Sequence, residues 1–130
     1  MKADELMIGD WVYGLYPNGK RYATPCCIAA IDIYPTNRSP RIVTVGGYGF
    51  QIEHLEAIPL TPEILKKNGF KDAQFYSELL WNDAFQIISD CSSLSIRCKN
   101  SDLSLSIPCD MVHELQHALR LCGIEKEIVI

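Results

Sequence analysis

The stretch Ile58-Pro59-Leu60-Thr61-Pro62-Glu63-Ile64-Leu65 constrains this chain more than any other. Pro59 has no N–H to give a sheet ladder and holds the preceding residue extended, so a strand must end there. Thr61 can accept an N–H of a first helical turn, and Pro62 suits the first helical position. Glu63 and the pair Lys66 and Lys67 place their charges at the ends that a helix dipole favours. Gly69 after Asn68 is a left-handed stop. The spacing predicts a two-turn helix from Pro62 to Asn68, with Ile64, Leu65 and Phe70 buried. A chain cut here has two differently patterned parts, taken as residues 1–60 and 61–130.

The part before the boundary is β-type. Residues 2–6 suit one helical turn or an extended lead-in, and a strand is expected from Ile8 through Tyr13. Pro17-Asn18-Gly19-Lys20 is a turn. Pro25 to Ile33 predicts a strand that is apolar on both faces. A loop over residues 35–40 and a third strand over residues 41–45 follow. After the glycine turn Gly46-Gly47-Tyr48-Gly49, a fourth strand starts at Phe50, which Leu55 to Ile58 would continue. Short strands at this spacing suggest a small barrel, in which closure removes exposed edges. Gly9-Asp10-Trp11-Val12 followed by a hairpin resembles the opening of SH3-like barrels.

Beyond Gly69 the pattern changes. Ala73 to Trp81 suits a helix or a strand, and Trp81-Asn82-Asp83-Ala84 suits a hairpin turn. Leu94, Ile96 and Cys98 alternate with Ser95 and Arg97. Leu103, Leu105 and Ile107 alternate with serines. This period of two predicts an antiparallel meander with one wet face, turning at Lys99 to Asp102 and ended by Pro108. Asp110 is the expected cap of a helix from Met111 to Cys122 that Gly123 stops. A short strand, Ile128 to Ile130, follows. The fold class expected is therefore α+β: a small SH3-like barrel, a linker helix, then a meander covered by a C-terminal helix.

A net charge of −4 without a Lys/Arg-rich run argues against nonspecific nucleic-acid binding. No stretch approaches the roughly 20 apolar residues of a membrane-spanning helix. The polar, acidic opening does not resemble a signal peptide, so a cytoplasmic protein is expected. Cys26, Cys27, Cys91, Cys98, Cys109 and Cys122 include no C-x-x-C pair, and free thiols are expected of them. Nothing calls for a cofactor.

His113-Glu114-Leu115-Gln116-His117 matches H-E-x-x-H, in which two histidines one helical turn apart bind zinc and the glutamate acts as general base. A helical wheel puts Met111, Val112, Leu115, Ala118, Leu119 and Cys122 on one apolar arc. His113, Gln116, His117 and Arg120 fall opposite, facing solvent. A third ligand is needed, and Glu125 and Glu127 reach back poorly. The extended protease form has Gly where Arg120 stands and His where Gly123 stands. Cys109, His113 and His117 recur every four residues, so neighbours among them could hold a soft metal. His54 sits at a strand end and is expected to be structural or exposed. Asp10 and Glu53 could be neighbours in a barrel without being marked as an acid–base pair.

Three blocks resemble a group of small uncharacterised proteins of gut anaerobes and their mobile elements and phages. They are Lys2 to Val12, Ile58 to Leu65 with Gly69-Phe70, and Val112 to Gln116 with a short terminal strand. The resemblance implies no activity. It does imply that the position of His117, commonly Asn in the group, is not a required ligand.

The function expected is a non-enzymatic binding or accessory module for a protein or peptide. Rings of the first part serve as the grip: Trp11, Tyr13, Tyr48 and Phe50, from a set that also holds Tyr16, Tyr22 and Tyr34. The alternatives are a zinc-dependent hydrolase through His113, Glu114 and His117, and nucleic-acid binding through the barrel.

Overall fold

A computed structural model of the chain describes residues 3–32, 40–72, 78–82, 85–89, 94–98, 107–108, 110–121, 123 and 125–130, with side chains left aside over 71–109. The protein is α+β and divides into two compact units, Met1–Ile58 and Pro59–Ile130. Among the described residues, no helix is long and apolar enough to cross a membrane.

The first unit opens with a 3-10 turn, Ala3–Glu5. Its strands are β1 (Trp11–Gly14), β2 (Cys26–Asp32), β3 (Arg41–Thr44), β4 (Gly49–Gln51) and β5 (Leu55–Ala57). They form one antiparallel sheet in the order β4-β3-β2-β1-β5. Leu6, Val12, Ile28, Ile42, Phe50 and Leu55 are its buried core, with Tyr22, Cys26, Ile31 and Ile52 packed against it.

Three expectations for this unit change. The first strand starts at Trp11, not Ile8. Asp10 Oδ2 accepts the Met7 N–H at 2.7 Å, and Gly9 takes φ +92°, so residues 7–10 form a turn that leaves Ile8 exposed. Second, β2 does not alternate throughout. Its pairing with β3 shifts between Ile28 and Ala30, leaving Ala29 as an exposed extra residue. Ile28 faces the core before the bulge and Ile31 after it. Third, the continuous strand expected from Phe50 is broken by a 3-10 turn, Ile52–His54. The sheet is open, with the three-residue strands β4 and β5 at its edges and not paired to one another.

Two hairpins of this unit end in the same way. Tyr16 N–H donates to the Lys20 carbonyl and Gly19 N–H to the Tyr16 carbonyl, both at 2.8 Å. Likewise Thr44 N–H donates to Tyr48 and Gly47 N–H to Thr44, both at 2.9 Å. Gly19 and Gly47 have φ of +79° and +82°, which a three-residue hairpin loop requires of its last residue.

In the second unit, α1 (Pro62–Lys67) forms as the boundary predicts. Thr61 Oγ1 accepts the Ile64 N–H at 3.3 Å, and Pro62 opens the first turn. Gly69, at φ +86°, donates to Lys66, and Phe70 donates to Leu65, which together close the helix. Leu65 and Phe70 are buried, and Ile64 is half-buried. The sheet that follows comprises β6 (Lys71–Asp72), β7 (Glu78–Asn82), β8 (Phe85–Ser89), β9 (Leu94–Cys98) and β10 (Ile107–Pro108), in the antiparallel order β10-β9-β8-β7-β6. The β7–β8 pair resolves the helix-or-strand ambiguity over its part of the chain in favour of a hairpin. Pro108 lies within edge strand β10, where a missing donor is tolerated. The turn at Lys99 to Asp102, the strand start at Leu103, and Cys91, Cys109 and Cys122 lie outside the described residues.

Helix α2 (Val112–Leu121) is followed by Gly123 at φ +70°. Val112, Leu115, Ala118 and Leu119 are buried, as the apolar arc requires. The expected final strand does not pair with a neighbouring strand among the described residues. Val129 is held instead by the side chain of Asn68.

Candidate functional site

Strand β1 carries the rings that the sequence marks. Val12 and Gly14 are buried on one side, so Trp11 and Tyr13, both half-buried, stand on the other. Trp11 lies opposite Cys27 on β2, and the Val45 N–H donates to the Cys27 carbonyl at 2.9 Å. The backbone thus sets Trp11 and Cys27 in one row with Val45, the first residue of the loop after β3. Val45 is 71% exposed and Tyr48, three residues on, is 64% exposed. Sequence reasoning missed Val45, a lone valine before a glycine turn. Its signal lies in its register opposite Cys27.

Tyr13 faces Glu56 across the β1–β5 pair. The Arg21 guanidinium carbon lies 4.6 Å from the centre of the Tyr13 ring, and its Nε donates to Glu56 Oε2 at 2.9 Å. That hydrogen bond and the Arg21 charge hold the Glu56 carboxyl below its ordinary range, with slight burial opposing. The same bond raises the Arg21 guanidinium further. The pair is exposed and joins the hairpin after β1 to strand β5.

Phe50, expected among the grip residues, is buried. It is 8% exposed, inside the core, with the Tyr22 ring edge-on at 5.5 Å. Burying such a ring stabilises by roughly 1.5–3 kcal/mol, which an exposed grip would forgo. Tyr22 also stacks on Tyr16 at 4.0 Å, and Tyr16 is 42% exposed. A Cβ at Gly14 would lie 2.6 Å from Phe50 Cζ and 3.1 Å from Tyr22 Cδ2. Glycine is what lets these rings reach the strand. Tyr34 lies outside the described residues.

At the other candidate site, the helical wheel fails on one flank. His113 and Gln116 are 6% and 7% exposed and His117 is half-buried, because burial follows what covers a helix and not the polarity of its faces. The His113 and His117 rings meet edge-on at 5.7 Å. Glu114 Oε2 accepts the backbone N–H groups of Asp110 at 2.7 Å and Met111 at 3.0 Å. It is the reach-back carboxylate of a capping box, so the start of α2 is held by Glu114 as well as marked by Asp110, the cap expected from sequence. Among the described residues, no group of three His, Cys, Asp or Glu side chains is placed to hold a metal. Cys109 lies outside those residues. Asp10 is fully buried with its carboxylate committed to the turn before β1, and Glu53 is exposed. His54 is half-buried. Cys26 and Cys27 are thiols, both half-buried.

A cleft of about 540 Å³ is lined by Arg120, Gly123, Glu125, Lys126 and Glu127, whose opposite charges give it no single sign. Comparison with protein-family models, curated proteins and solved structures finds no match to this chain.

Proposed function

We propose that the chain is a cytoplasmic, non-enzymatic binding or accessory module whose first unit holds a protein or peptide partner. The observation that carries this reading is the row of Trp11, Cys27 and Val45, with Tyr13 two residues from Trp11 and the exposed Tyr48 three residues beyond Val45. Apolar side chains in register on one sheet offer contact area at little ordering cost, because their backbone is already fixed. The strand order β4-β3-β2-β1-β5 and the single 3-10 turn between β4 and β5 support reading this unit as a small SH3-like barrel left open at those two strands. The zinc-hydrolase reading through His113, Glu114 and His117 is opposed by the backbone donors that occupy Glu114.

The test is capture of a partner by the immobilised full chain, compared with a Val45→Ser, Tyr48→Ala double variant. Both positions are exposed, so stability should change by less than about 0.5 kcal/mol at each. The expected result is a partner retained by the wild type and largely lost by the variant at an unchanged melting temperature. Equal retention would remove this surface from consideration. Salt-sensitive binding of an oligonucleotide in place of protein would favour the nucleic-acid reading.

A further inference from the structure

We infer that the outer edge of β4 is a strand-addition site for an extended peptide carrying a carboxylate side chain, which Arg41 receives. The inference rests on the binding-module reading and names where the partner lies and what it carries.

Strand β4 is the end of its sheet, and among the described residues no strand pairs with its outer side. The hairpin fixes which groups point outward. Thr44 N–H donates to the Tyr48 carbonyl, and the register continues through Val43 with Gly49, Ile42 with Phe50 and Arg41 with Gln51. Hydrogen-bonded pairs alternate along an antiparallel ladder. Ile42 and Phe50 therefore bond to each other, while Gly49 and Gln51 turn their N–H and C=O groups away from β3. Both residues are exposed. An extended chain laid along this edge meets the N–H and C=O of Gly49 and the N–H of Gln51, while the Gln51 carbonyl serves the 3-10 turn that Gln51 caps.

Arg41 gives the edge its chemistry. An ideal Cβ at Gly49 would lie 2.5 Å from Arg41 Nε and 2.6 Å from Nη2, so the guanidinium lies over the strand in the space that the missing side chain leaves. Arg41 is exposed and takes part in no ion pair among the described residues. A guanidinium so placed presents a planar donor fork suited to a carboxylate. Arg41 itself stands on β3, one strand in, and reaches the edge through its guanidinium over Gly49. Tyr48 supplies an apolar flank immediately before the first open pair of groups.

The experiment pans a random heptapeptide library, displayed on phage, against the immobilised full chain. Enriched peptides are then synthesised and titrated against wild type, Arg41→Glu and Gln51→Pro. Gln51 has φ −80° and ψ 152°, so proline fits that backbone and removes only the outward N–H. Enriched peptides should share an Asp or Glu. Arg41→Glu should weaken them about tenfold, and Gln51→Pro by about fivefold. Binding should slow amide exchange at Gly49 and Gln51. Peptides without an acidic residue, or titrations unmoved by both variants, would overturn the edge inference. If the Val45→Ser, Tyr48→Ala variant then weakened those same peptides, the broader reading would survive it. Failure to enrich any peptide would overturn the edge inference, and the broader reading would then stand or fall on the capture test.

Discussion

Asn68 and Val129, 61 residues apart in sequence, bond to each other as two strand neighbours would. Asn68 Nδ2 donates to the Val129 carbonyl at 2.8 Å, and Val129 N–H donates to Asn68 Oδ1 at 2.7 Å. The second amide hydrogen reaches the Ile64 carbonyl at 2.8 Å. One buried side chain thus ends a helix and holds an extended segment whose Ile128 is 1% exposed.

Asn68→Ala should cost about 2–4 kcal/mol, because it strands backbone groups beside a buried site. Asn68→Asp keeps the acceptor for Val129 but turns an oxygen toward two carbonyls, so it should cost as much. Urea unfolding gives the cost, and amide exchange at Val129 should quicken in both variants. Unchanged exchange would show that the segment is held by other contacts.

Glu114→Ala should cost about 1 kcal/mol through loss of the helix cap, and Glu114→Gln less than half of that, since the amide oxygen still accepts. A glutamate acting as a catalytic base would give a different result: little change in stability in either variant. Chemical denaturation of the three proteins distinguishes the two roles.

Gly14→Ala forces a methyl against the Phe50 and Tyr22 rings. Buried rings have little room to move, and overpacking of this kind costs about 1–3 kcal/mol. Near-ultraviolet circular dichroism should lose part of the tyrosine signal as the Tyr16–Tyr22 stack is displaced. A full signal at wild-type stability would mean that the rings move aside freely.

Because Arg21 lowers the Glu56 carboxyl, the folded chain takes up that proton less readily than the unfolded chain. The contribution of the pair is present at neutral pH and fades as pH falls through the acid range below about 4.3. Both groups are exposed, so the effect is small and weakens with salt. Glu56→Gln should flatten the fall in melting temperature between neutral and acid pH at low ionic strength. Identical pH profiles for the two proteins would refute the coupling.

Helix α1 was legible to within a residue of its end because its signals are local: Thr61 caps, Pro62 opens and Gly69 stops. The bulge at Ala29 was not, because both faces of residues 26–33 are apolar and a pattern without contrast carries no phase. The break at Ile52 was hidden because Phe50 and Ile52 keep a period of two through it. Burial of His113 and Gln116 was invisible to a wheel that ranks faces only by polarity. Of the four rings named from sequence, Trp11 and Tyr13 share one side of β1 and Tyr48 is exposed, while Phe50 fills the core. Residue type says that a ring will find a partner, and only register says whether the partner is the core.

The two matching hairpin ends have a consequence for how this chain can change. Each tip is specified by two backbone hydrogen bonds and one left-handed glycine, Gly19 or Gly47, and asks little of the side chains it displays. On the binding-module reading proposed above, instructions for folding and instructions for recognition sit on different atoms at the second tip. Exposed Val45 and Tyr48 can be exchanged for other residues while the backbone bonds that shape this tip stay in place, so on that reading specificity can drift there without being opposed by stability.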